Sequence, residues 1–257
     1  MSSPRPVALV TGAARRVGRA IALELARSGW SIALHCHHPS PDADATAADL
    51  RHLGAQVQVL EADLADEAAC NALVPAAVAA CGRLDAVVNN ASLFEEDDVA
   101  RFSHAAMARH WQANTAPAVL LARALHAHLA GRGAQGGVVN ITDQKLANLN
   151  PDHLSYTLSK AALDCATTLL AQALAPVLRV CAVAPGITLP SGPMTSAQFD
   201  AAHRLTPLGR GSTPDDIARA VRFLLESPAI TGTTLLVDGG QHLLPQPRDV
   251  LHLVAPR

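Results

Sequence analysis

The stretch Val7-Ala8-Leu9-Val10-Thr11-Gly12-Ala13-Ala14-Arg15-Arg16-Val17-Gly18 decides the fold of this chain. A short apolar run meets a glycine turn, and a helical pattern, Val17–Ser28, follows at once. That order is the opening of a βα unit. A glycine turn between strand and helix lets backbone N–H groups approach a pyrophosphate, and the positive helix end adds attraction. Glycines end many strands, so the turn alone is a weak sign, and a structural turn with solvated arginines is its plainer reading. Here it also places Arg15 and Arg16 where a phosphate-rich ligand would lie.

Outward from this turn, apolar runs alternate with amphipathic stretches. Strands are predicted at Pro6–Val10, Ser31–His35, Gln56–Glu61, Asp85–Asn89, Gly137–Thr142, Arg179–Val183 and Thr234–Val237. Helices are predicted at Val17–Ser28, Asp42–His52, Asp66–Ala80, Ala105–Leu129, Tyr156–Leu174 and Thr213–Glu226. Nearly all-apolar strands alternating with helices predict an α/β fold, a doubly wound Rossmann-type, mostly parallel sheet with helices on both faces. The 257 residues suit one domain, 1–257. Residues 184–208, with Pro185, Gly186, Pro190, Gly192, Pro193 and Pro207, read as a substrate loop. Residues 241–257 read as a C-terminal arm, packed on the body or on a neighbouring subunit.

Composition narrows the function classes. Net charge is −2 with no basic stripe, which speaks against nucleic acid. No stretch reaches the roughly 18 apolar residues of a membrane span. The first residues carry no signal pattern, and five scattered cysteines form no CxxC, so a reduced cytoplasmic protein is expected.

The end of the second predicted strand bears on cofactor type. An acid about 20 residues after the first glycine would hold the ribose hydroxyls of NAD. Here the segment is His35-Cys36-His37-His38-Pro39-Ser40, and the first acid is Asp42. With no acid to repel a 2′-phosphate, and with Arg15, His38 and Ser40 as donors, NADP(H) is favoured. A metal site is disfavoured, because adjacent residues at a strand end cannot all point at one ion. Asp63 either accepts from an adenine amino group or caps the next helix, as Asp66 also would.

Tyr156, the single tyrosine, lies four residues before Lys160, so the two share one helix face. An ammonium nearby stabilises tyrosinate and lowers the tyrosine pKa, giving a proton donor for a hydride-accepting substrate. With Thr11–Gly18, Asp63, Asn89-Asn90-Ala91, Asn114, Pro185-Gly186 and Val237-Asp238-Gly239-Gly240, the chain resembles the short-chain dehydrogenase/reductase family over nearly its whole length. The resemblance implies Tyr156 as acid, with Lys160 lowering its pKa and holding the nicotinamide ribose. It implies Asn114 holding a relay water, and Pro185, Gly186 and the segment after them covering the nicotinamide. It places Gly12, Gly18, Asn90 and Ala91 around the cofactor. It also implies a homotetramer paired through the helices at Ala105–Leu129 and Tyr156–Leu174.

Three departures from the general family pattern resemble its pteridine reductase branch. Arg16 replaces the middle glycine of TGxxxGxG, Asp143 replaces a serine thirteen residues before the tyrosine, and Ser92 follows Asn89-Asn90-Ala91, with Phe94 close behind. The branch implies Arg16 on the substrate, Asp143 sharing proton delivery with Tyr156, Phe94 stacked on a pterin, and Ser92 near the cofactor phosphate. Physical chemistry points the same way. An ionised Asp143 repels a developing alkoxide but suits a ring that presents N–H groups. Phe94 offers a face to a planar heterocycle, and Arg16 can bond a ring carbonyl or a phosphate. The plainer readings are core for Phe94, pyrophosphate alone for Arg16 and a turn cap for Asp143. Against the branch, His38 precedes an inserted-looking Pro39 where an arginine is usual, leaving selectivity to Arg15. The reading is NADPH-dependent reduction of a dihydropterin; a carbonyl or alcohol oxidoreductase and a non-catalytic NADP(H)-binding regulatory protein are the alternatives.

Overall fold

In the computed structural model, residues 5–190 and 194–254 are described. Seven strands form one parallel sheet in the order β3-β2-β1-β4-β5-β6-β7. They are β1 (Val7–Val10), β2 (Ser31–Cys36), β3 (Val57–Glu61), β4 (Ala86–Asn89), β5 (Gly136–Ile141), β6 (Leu178–Pro185) and β7 (Thr234–Val237). The doubly wound prediction is therefore correct. The central strands are buried on both faces, whereas β3 and β7 are edges whose outer residues meet solvent.

Helices α1 (Arg16–Arg27), α2 (Pro41–His52) and α8 (Pro214–Glu226) cover one face, where Ile21, Leu25, Leu50, Val221 and Leu224 are buried against the sheet. Helices α3 (Glu67–Cys81), α5 (Ala116–Gly131) and α6 (Leu154–Leu174) cover the other, with Leu73, Leu121, Leu125 and Leu129. Two apolar layers against one sheet supply the main burial that stabilises an α/β domain.

Two predicted elements need correction. The single helix over Ala105–Leu129 is two, α4 (His104–Asn114) and α5, broken at Thr115. Pro117 lacks the N–H that a continuous helix would need, so the chain restarts there. The Thr115 hydroxyl donates to Ser159 O at 2.8 Å and fixes the joint. The connection 184–208 also holds a helix, α7 (Ser196–Arg204). Its signal was the capping box Thr195-x-x-Gln198, in which each side chain meets the other's backbone N–H. The expected loop residues Gly192 and Pro193 lie outside the described residues.

The order of the sheet reverses direction between β1 and β4. Ligands in such sheets bind in the crevice beyond the carboxyl ends of the strands at that point.

Candidate active site

At that switch point, Thr11 is the staple. Its N–H donates to Val88 O, and its Oγ1 accepts from the N–H groups of Asn90 and Ala91 at 2.9 and 3.0 Å. Asn90 Nδ2 donates back to Thr11 O and Gly12 O. Gly12 sits at φ +61°, and a Cβ on Gly18 would lie 2.2 Å from Gly12 O. Only glycine permits α1 to start this close to the turn. His35 completes the turn, a role the sequence did not reveal. Its ring accepts from Gly12 N at 3.1 Å and lies 3.0 Å from Ala62 O, and burial lowers its pKa.

A cleft of about 950 Å³ opens above these turns. One end is lined by Arg15, His37, His38, Ser40 and Asp42, the middle by Gly12, Gly18, Asn90, Ala91, Pro185 and Gly186. Arg15, Ser92 and Arg16 thus share one cavity with Asp143, Tyr156, Lys160 and Phe94 at the other end. Asp63 does not line it. Its carboxylate caps its own turn by accepting from Ala65 N and lies 3.7 Å from His37. Ser40 faces the cleft but also caps α2, accepting from Ala43 N at 3.2 Å.

Arg16 adopts φ +54°, where its family pattern would have glycine, and its guanidinium donates to Pro190 O at 3.0 Å. It therefore ties the phosphate turn to the loop over the cleft. Asn114 does not line the cavity. Its Oδ1 accepts from Leu93 N and the Ser92 hydroxyl, and its Nδ2 donates to Leu93 O and Ser159 Oγ. The side chain is thus spent as a strut beneath residues 92–93.

Tyr156 Oη donates to Asp143 Oδ2 at 2.7 Å, while Asp143 Oδ1 accepts from Lys145 N at 2.8 Å. The carboxylate thus caps its turn with one oxygen and accepts from Tyr156 with the other. Burial raises the Asp143 pKa, and burial together with the facing carboxylate holds Tyr156 well above its usual value. Lys160 lies near the tyrosine. Its Nζ lies 5.7 Å from the Tyr156 ring centroid and donates to Ile141 O, and burial lowers its own pKa to about 8. Tyr156 is thus placed as a hydrogen-bond donor to Asp143.

Phe94 is 43% exposed, so it is not core. It stacks on His153 at 4.3 Å and meets Tyr156 edge-on at 4.7 Å, leaving its position at the cleft fixed by two rings. The arm folds back on its own chain and supplies Gln246, Asp249, Val250 and Leu251 to the cleft. Arg248 grips Asp152 through Nε at 2.8–2.9 Å, and Asp249 N adds a third bond to the same carboxylate. Among the described residues no cluster of histidine, cysteine or acid side chains is arranged for a metal, and no helix is long and apolar enough to cross a membrane.

The family model described as enoyl-(acyl carrier protein) reductase matches residues 12–242. The crystal structure of the Brucella suis FolM alternative dihydrofolate reductase 1 in complex with NADP is 41% identical, with TM-score 0.89 over 96% of this chain and 98% of that one. Pteridine reductase 1 of Leishmania tarentolae is 32% identical, covering 94% of this chain and 98% of the relative. A 3-oxoacyl-[acyl-carrier-protein] reductase of Synechocystis is 31% identical, covering 91% and 96%. By its matched length, its glycine turn at the sheet's switch point and its Tyr156–Lys160 pair, this chain is an oxidoreductase that belongs to the short-chain dehydrogenase/reductase family.

Proposed function

We propose that the protein is an NADPH-dependent reductase of a dihydropterin-type substrate. The observation that carries this reading is the 2.7 Å bond from Tyr156 Oη to Asp143 Oδ2, in the place where a carbonyl reductase of the family would carry serine. The NADP complex of the Brucella relative and the pteridine reductase of Leishmania support it.

The cleft fits a dinucleotide. The turn at Gly12 and Gly18 exposes backbone N–H groups at the start of α1, with Arg15 beside them. His38, Ser40 and Arg15 would receive the 2′-phosphate, while Asp42 at the same end moderates the preference over NADH. When bound, the cofactor supplies a hydride to the ring. Lys160, buried beside Ile141 O, would hold the nicotinamide ribose, and residues after Gly186 would exclude water. Phe94 presents its ring to the heterocycle. Tyr156 delivers the proton, and Asp143, which accepts from its hydroxyl, relays the replacement from solvent. One hydride and one proton reduce the double bond. An ionised Asp143 opposes an alkoxide forming beside it, which disfavours ketones. The reduced cytoplasm and a homotetramer complete this reading.

The test is NADPH oxidation against dihydrobiopterin, dihydromonapterin, dihydrofolate and simple ketones, in wild type and Asp143→Ser. Pterin turnover in wild type is expected, with a strong fall in the pterin-to-ketone ratio in the variant. Preference for ketones, or an unmoved ratio, would overturn the reading.

A further inference from the structure

Phe94 offers the cleft one face. It is 43% exposed and lines the cavity, and its other face is covered by the ring of His153 at 4.3 Å. His153 is buried, at φ +54° in the left-handed region, immediately before α6. Its carbonyl accepts from Thr157 N and from the Thr157 hydroxyl, which fixes it to the first turn of the helix that carries Tyr156.

The backbone beside Phe94 is clamped from two sides. Glu95 O accepts from His153 Nδ1 at 3.2 Å, and Glu95 N donates to Nε2 of the buried His110 at 3.4 Å. His110 Nδ1 donates in turn to Ala106 O at 2.9 Å. Asp97 ties the same loop to α6 by accepting from Ser155 N at 3.0 Å, so the loop does not depend on His153 for its attachment. The ring of His153 backs the Phe94 side chain itself. Its Nε2 is buried and has no partner among the described residues, so a carbon could stand there.

We propose that His153 is a positioning residue that acts through Phe94: its ring is the backing that turns the free face of Phe94 toward a planar substrate beside Tyr156. The proposal rests on the dihydropterin reading and deepens it. An exposed phenyl ring has several rotamers open to it, and a substrate that stacks on it must fix one at a cost in entropy. The stack on His153 and the edge contact with Tyr156 at 4.7 Å fix that rotamer beforehand. Tyr156 keeps its place through α6 whether or not the ring is there, so the backing governs binding rather than proton delivery.

The test is a double-mutant cycle in the dihydrobiopterin KM over wild type, His153→Asn, Phe94→Ala and the double variant. The kcat, NADPH affinity and Tm are measured on each, and on His153→Phe. Asparagine tolerates a left-handed backbone but removes the ring. His153→Asn should raise KM roughly three- to tenfold, the worth of one aromatic pair, with kcat and NADPH affinity near wild type. In the Phe94→Ala background the same change should add nothing. His153→Phe keeps the ring and gives up one bond to Glu95 O, so its KM should lie near wild type even where its Tm falls. KM should thus follow the ring and not the stability. An unchanged KM in His153→Asn, or a full extra rise in the Phe94→Ala background, would overturn the proposal while wild-type pterin turnover still stood. A KM that tracked Tm across His153→Asn and His153→Phe, or failure of both to fold, would show a structural strut instead. If wild type neither binds nor reduces a dihydropterin, the functional reading fails first and this proposal with it.

Discussion

Two side chains carry most of what a single substitution can reveal. Tyr156→Phe removes only the hydroxyl that donates to Asp143 Oδ2. Turnover should vanish while NADPH still quenches or enhances fluorescence with unchanged affinity; near-normal rates would remove Tyr156 from the chemistry. Arg16 makes a different kind of prediction. A non-glycine residue at φ +54° stores strain of about 1 kcal/mol or more. Glycine would release that strain but adds unfolded-state entropy worth about 0.4–1 kcal/mol. Arg16→Gly should therefore leave Tm within about 2 °C of wild type while raising the substrate KM, because the tether to Pro190 O is cut. A large fall in Tm would mean that Arg16 serves stability. Tyr156 and Lys160 were legible from their spacing, whereas Asp143 and Phe94 were reached through resemblance to the pteridine reductase branch; all four line one cleft. His35 was not: it acts by bonding the ends of β1 and β3, and that fact does not lie in local sequence.

At the level of elements, the alternation of runs disclosed all seven strands, since parallel strands buried on both faces are nearly continuous apolar segments. A continuous amphipathic pattern concealed the break between α4 and α5 that Pro117 marks, and the prolines around α7 concealed a helix. The arm was legible only as a tail, because its place depends on Asp152, far away in sequence. Burial would raise the Asp152 carboxyl, but Arg248 and Asp249 N–H outweigh it and bring it down to about 2. A carboxyl depressed in the folded state contributes stability above its ordinary value near 4, lost as pH falls toward 2. The Asp152–Arg248 pair therefore keeps both of its charges between pH 5 and 8. Arg248→Ala should speed limited proteolysis of residues 245–254 and raise the substrate KM, with little change in Tm. Equal cleavage of variant and wild type would show that Arg248 does not hold the arm.

Over the whole molecule, the cleft joins the two halves of the sheet, β1–β3 and β4–β7, through Thr11, Asn90 and the loops above them. A ligand bound there stabilises both halves together. NADPH at about 100 times its Kd should add about 2.7 kcal/mol, or roughly 5–10 °C in Tm. NADH at the same concentration should add less, and equal shifts would remove the case for 2′-phosphate recognition. The arm brings Gln246, Asp249, Val250 and Leu251 into the same cleft as Asp143 and Tyr156. The far end of the chain therefore helps shape the space a substrate must enter, and truncation after residue 245 should raise the substrate KM while the Tm shift produced by NADPH stays near that of the full chain. An unchanged KM would mean that the arm is only a cover.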